Sequence, residues 1–147
     1  MKPLLAFLLI LGMANAPQWQ LNMDQAKTEA KTSHKFILLN FSGSDWCGPC
    51  IKLKKEVFES EAFLTYADKH LVLVRADFPR SKKNQLSPQQ TTHNESLADR
   101  YNPEGQFPLT VLIDDSGNEL THWVGYPATL TAQTLINEID GRRTATH

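Results

Sequence analysis

Two largely apolar runs set the frame of this chain. Phe36–Phe41 (FILLNF) and Leu71–Ala76 (LVLVRA) have strand length and no polar alternation, the pattern of strands covered on both faces. The stretch from Cys47 to about His70 reads as helix, with Leu53, Val57 and Phe58 inward and Ser60 capping a second segment where FESEAF breaks the spacing. Two such strands joined through a helix form a parallel pair with a right-handed crossover. Ahead of them, Asn22-Met23-Asp24-Gln25 has the form of a capping box, followed by Met23, Ala26 and Ala30 at helical spacing. Behind them, Arg80–Thr92 is polar and reads as a solvated loop, with a helix near Glu95–Tyr101. Leu109–Ile113 and Glu119–Val124 pair as strands across Asp115-Ser116-Gly117-Asn118, where Gly117 supplies positive φ. Thr129 to about Ile139 is a last amphipathic helix, ended by Gly141. The expected architecture is α/β, a mixed central sheet with helices on both faces.

The chain has 147 residues, 41% hydrophobic and 21% charged, which suits one domain. A net charge of −1 gives no electrostatic reason to expect nucleic acid or an anionic membrane surface as partner. The N-terminus is separate. Lys2 carries a positive charge, Leu4–Leu11 is an unbroken apolar run, and Ala14-Asn15-Ala16 follows. This is the layout of a secretory signal peptide, and the run is shorter than the ~20 residues of a membrane helix. Residues 1–16 are therefore expected to be a signal peptide, cut after Ala14 or Ala16, and residues 17–147 one domain with no membrane span. The mature protein is expected to be periplasmic or secreted.

Both cysteines, Cys47 and Cys50, lie in SDWCGPCIKLKKEVF, at the mouth of the second helix. A structural disulfide closing so small a loop constrains little, since loop-closure stabilisation grows with the residues enclosed. In an oxidising compartment a pair not used as a staple needs another role. Reversible redox chemistry is the reading that follows.

Trp46-Cys47-Gly48-Pro49-Cys50 resembles the active-site motif of the thioredoxin superfamily, and Phe107-Pro108-Leu109-Thr110 its cis-proline segment. DDSGNEL and Gly125 resemble its closing hairpin, so the resemblance covers roughly Lys35 to Asp140. It is closest to exported thioredoxin-like proteins, including the periplasmic domain of thiol:disulfide interchange proteins. The resemblance implies a thioredoxin fold and a thiol:disulfide oxidoreductase in which Cys47 attacks and Cys50 resolves. Trp46, Gly48, Pro49, Phe107 and Pro108 would form the substrate surface. At a helix N-terminus Cys47 meets unpaired N–H groups and the positive dipole end, worth ~0.3–2 kcal/mol. At ~1.36 kcal/mol per pKa unit, that lowers a free thiol's ~8.5 by up to about one and a half. Cys50 lies one turn further in and is expected to be more shielded. Gly48 permits the tight entry, and Pro49 suits the first turn because no partner needs its missing donor. The intervening Gly-Pro is that of reducing members, which favours a disulfide reductase acting on disulfide-containing proteins and kept reduced by a membrane thiol donor. No cofactor is expected.

The residues leave other readings. A Cys-x-x-Cys pair is half of a zinc site, but a structural zinc wants four ligands, and His34, His70, His93, His122 and His147 show no paired spacing. No metal is expected. Disulfide isomerisation is a close alternative to reduction, and a non-catalytic adaptor or chaperone using the Trp46–Phe107–Pro108 surface is the rival from another class. Asp45, Lys52, Lys54 and Lys55 read as a solvated rim. Asn40 departs from the family pattern, which places a buried aspartate there to take the resolving thiol's proton. Asparagine cannot be a base, so water, or Asp45 after a loop shift, would have to serve.

Overall fold

The computed structural model describes residues 16–146; the expected signal peptide lies outside the described residues except for Ala16. Five strands form one sheet: β1 (Trp19–Gln20), β2 (Phe36–Ser42), β3 (Leu71–Asp77), β4 (Leu109–Ile113) and β5 (Glu119–Val124), in the order β1-β3-β2-β4-β5. β3 runs parallel to β1 and β2, whereas β4 runs antiparallel to β2 and β5. The mixed sheet is the one the apolar runs imply. β1 is an addition, a two-residue edge strand too short to leave a periodic signal.

Among the described residues five α-helices cover the sheet: α1 (Met23–Ser33), α2 (Gly48–Leu53), α3 (Glu61–His70), α4 (Pro88–Tyr101) and α5 (Ala132–Ala145). Because successive strand residues point to opposite faces, β2 feeds two cores. Ile37, Leu39 and Phe41 join Met23, Ala26 and Ala30 of α1 and Leu97 and Tyr101 of α4. Leu38 joins Leu53, Phe58, Phe63, Ala67, Leu135 and Ile139 from the helices of the other face. Asn40 falls on this second face.

Several helix ends differ from expectation. Asn22 caps α1 by accepting from Gln25 N at 3.0 Å, but the return bond of a full capping box is not made. The full reciprocal box belongs to α5, between Thr131 and Thr134. Gly141 does not end α5, which runs on to Ala145. The cost of a helical glycine, ~1 kcal/mol, is offset where Asp140 accepts from Arg143 Nη1 at 2.9 Å and Tyr66 Oη at 3.2 Å. α4 begins inside the expected solvated loop, because Ser87 caps it through Gln90 N and Pro88 fills its first position. Ser60 does cap α3, accepting from Phe63 N.

Between α2 and α3 the helix widens into a π turn over Lys54–Phe58, closed by Glu59 N donating to Lys54 O at 2.9 Å. At about 100° per residue, an α-helix would carry Phe58 well away from the face of Leu53. The wider turn returns it, and Leu53, Val57 and Phe58 are all buried.

Candidate active site

The end of β2 and the start of α2 build the site. Gly43 O accepts from Trp46 N at 3.2 Å and from Cys47 N at 2.9 Å, turning the chain sharply after the strand. Cys47 is the N-cap of α2: its Sγ accepts from Cys50 N at 3.2 Å, and Pro49 occupies the first turn. The two cysteines are joined as a disulfide with their Cα atoms 5.2 Å apart. Exposure does not separate them. Cys47 is 5% exposed and Cys50 4%, so the expected greater shielding of Cys50 is absent in the bonded pair. What distinguishes them is direction, since Cys47 sulfur receives a helix N–H.

Gly48 and Pro49 are exposed beside the pair. A Cβ on Gly48 would meet nothing within 4 Å, and its φ is not positive. The expected steric need for glycine is therefore not at Gly48. It is at Gly43, where a Cβ would collide with the Trp46 indole. Nothing in the sequence marks this, because the contact depends on how the indole folds back over the turn.

Trp46 is half-buried and fixed on several sides. Its Nε1 donates to Phe78 O at 2.8 Å, its ring meets Phe107 edge-on with centroids 5.5 Å apart, and Arg80 Cζ lies 3.7 Å from its centroid. Phe78 closes the group against Phe107 at 5.4 Å. The Phe107–Pro108 peptide is cis, and Pro108 O accepts from Gly125 N at 2.8 Å. The structure thus brings Trp46 and Phe107 together beside the disulfide turn, with Pro108 next to Phe107 in the chain but buried.

Arg80 and Phe78 carry no sequence signal of their own; both follow the second apolar run, in a segment that reads as plain loop. Asp45 is more than a solvated rim. Its carboxylate accepts from Arg80 N, Ser81 N and Asn84 Nδ2 at 2.9–3.0 Å. The Arg80 amide, with the Asn84 and Ser81 donors after it, holds this carboxyl below its ordinary pKa. Asp45 is therefore bound as an anion to the Arg80–Asn84 segment, and only a shift of that loop would free it to take the resolving thiol's proton. Asn40, 3% exposed, donates through Nδ2 to Leu109 O at 3.4 Å and Thr110 Oγ1 at 3.2 Å. Beside it in the sheet, Arg75 is paired in register with Asn40. Its Nε and Nη2 are buried without a hydrogen-bond partner, and its guanidinium lies over Trp19 at 4.3 Å. Burial lowers its pKa, against the nearby Asp77 and Glu59 carboxylates.

Residues 18–114 match the model of a family described as thioredoxin-like. The chain belongs to the thioredoxin-like family. This thioredoxin-like chain is 39% identical over 103 residues to the disulfide bond reductase DsbH of Chlamydia pneumoniae, covering 70% of the chain and 60% of that protein. It is 28% identical over 102 residues to the thioredoxin-related protein DsbJ of the same organism, covering 69% of the chain and 28% of DsbJ. The chain thus spans less than two thirds of the length of these curated relatives. Among solved structures, a DsbH oxidoreductase superposes with a TM-score of 0.77 at 30% identity, over 87% of this chain and 85% of that one. The oxidised C-terminal domain of Neisseria meningitidis DsbD gives 0.55 at 16% identity, over 82% and 91%. The latter likeness is of fold alone. The fold is the thioredoxin fold, as expected.

Proposed function

We propose that this protein is a thiol:disulfide oxidoreductase working as a disulfide reductase, exported and acting on disulfide-bonded proteins. The observation that carries the reading is the Cys47–Cys50 disulfide at a helix mouth, with Cys50 N donating to Cys47 Sγ. The donor that caps the sulfur in the disulfide would stabilise a Cys47 thiolate in the reduced form, and the helix dipole adds to it. The name of the DsbH relative, a disulfide bond reductase, supports the direction of transfer. Lys2, the Leu4–Leu11 run and Ala14–Ala16 support export.

In the reduced protein the Cys47 thiolate attacks one sulfur of a substrate disulfide. A mixed disulfide forms and the other substrate sulfur leaves as thiolate. Cys50 then loses its proton and attacks Cys47 Sγ, which releases the second substrate sulfur and closes the Cys47–Cys50 bond. Two electrons pass to the substrate, and a dithiol donor at the membrane must return two to the pair. Exposed Pro49 and the half-buried Trp46 and Phe107 would supply an apolar seat for the substrate chain, whereas Pro108 itself is buried.

Trapping tests the assignment. Cys50→Ser should accumulate mixed disulfides with substrate proteins, and Cys47→Ser far fewer. Equal trapping by both variants would abolish the division between attacking and resolving thiol. Absence of turnover on a generic peptide disulfide by the wild type would favour the adaptor reading instead.

A further inference from the structure

The rim of the site carries a cation without a counter-ion. Arg80 is exposed, with its guanidinium stacked 3.7 Å from the Trp46 centroid. Stacking of this kind leaves the N–H edges of the guanidinium pointing outward in the plane of the fork. Among the described residues its side chain enters no salt bridge. The carboxylates of Asp45 and of Asp77, at the end of β3, are engaged elsewhere. Asp45 accepts from Arg80 N, Ser81 N and Asn84 Nδ2, and Asp77 accepts from Ser44 N at 2.9 Å and Ser44 Oγ at 2.5 Å. The protein therefore fixes the Arg80 backbone with an acid while leaving its charge unanswered. The platform beneath is fixed as well, through the Trp46 bond to Phe78 O and the Phe107 edge. Lys82 and Lys83 follow in the same segment, both exposed.

We propose that Arg80 is a specificity-determining residue that selects substrate disulfides flanked by acidic side chains. This rests on the reductase reading and adds a substrate class to it. A planar guanidinium receives a carboxylate through two parallel N–H bonds. One held on the indole next to Cys47 would dock a substrate aspartate or glutamate as the neighbouring sulfur reaches the thiolate. The preference is local rather than a steering effect of the whole molecule, whose net charge is only −1.

The test uses three peptide disulfides that differ only in the residues flanking one cysteine, which are Asp, Asn or Lys. kcat/KM is measured for each at low ionic strength. The wild type should favour Asp over Asn by about threefold, the size of one exposed ion pair, with Lys the poorest and the spread narrowing as salt is added. Arg80→Gln should bring the Asp-to-Asn ratio to near one, and Arg80→Lys should keep part of it. Equal kcat/KM for Asp and Asn in the wild type, or a ratio unchanged in Arg80→Gln, overturns the proposal while leaving the reductase reading in place. No reduction of any of the three peptides overturns the reductase reading and the selectivity with it.

Discussion

Replacing Asn40 by aspartate tests what the missing family acid does. The two side chains are nearly the same shape, so Asn40→Asp changes hydrogen bonding and charge rather than packing. The wild-type amide donates to Leu109 O and Thr110 Oγ1. A carboxylate cannot donate to the Leu109 carbonyl, although the Thr110 hydroxyl can turn to donate to it. At a position 3% exposed, burial disfavours the charged form, and the neighbouring Arg75 guanidinium, turned over Trp19, offsets only part of this, so the introduced carboxyl should titrate above the ordinary ~3.9. A rise of ~3 units is worth ~4 kcal/mol. The folded variant then holds its proton more tightly than the unfolded chain. The charge penalty is thus absent below about pH 4, grows as pH rises, and levels off near pH ~7. Urea unfolding of the oxidised proteins at pH 4 and pH 8 reads this directly. The variant should lose roughly 1 kcal/mol at pH 4, for the lost hydrogen bond, and up to ~4 kcal/mol more at pH 8. An equal deficit at both values would refute the argument that burial at position 40 outweighs the Arg75 charge beside it. The same carboxyl faces the core beneath α2, so decay of the mixed disulfide should quicken at neutral pH and depend less on pH. An unchanged decay rate would remove position 40 from the proton path.

Two further outcomes follow from the loops around the site. Gly43→Ala places a Cβ 2.6 Å from Trp46 Nε1, so the indole should swing out and lose Phe78 O; a drop of ~1–3 kcal/mol in thermal stability with an altered near-UV tryptophan signal checks this. Asp45 has its pKa lowered by the Arg80, Asn84 and Ser81 donors, so its contribution is complete above the unfolded value and is lost as pH falls through the folded one. Protection of the Arg80 and Ser81 amides, taken relative to their intrinsic exchange rates, should therefore hold at pH 5 and fall once pH drops below 3.8, and Asp45→Ala should remove it throughout.

The residues that set the sheet were legible because their signals are local. Apolar runs marked β2 and β3, Gly117 marked the turn with its φ of 92°, and a tryptophan and two cysteines before a helix marked the site. What stayed hidden depends on partners far along the chain. Asp45 looks like a surface acid until Arg80 and Ser81 arrive 35 and 36 residues later. Gly43 looks like a loop glycine until an indole lies across it. Arg75 was concealed inside an apolar run, where only the folded sheet sets it beside Asn40 and over Trp19. The start of α4 was a different failure. Ser87-Pro88 is a local helix-start signal, masked by the polar composition around it.

The π turn at Lys54–Phe58 bears on which length changes this helix tolerates. Such a turn holds one residue more than an α turn, like a loop of slack wound into the rod. Deleting one residue there should let the segment relax to ordinary α-helix while the buried faces before and after it keep their bearings. The same deletion between Cys50 and Leu53 has no slack to draw on. It would rotate the Cys47–Cys50 end as one unit by about 100° against the core, leaving the two sulfurs paired but turning them out of register with the Gly43 turn and the Trp46–Phe107 group.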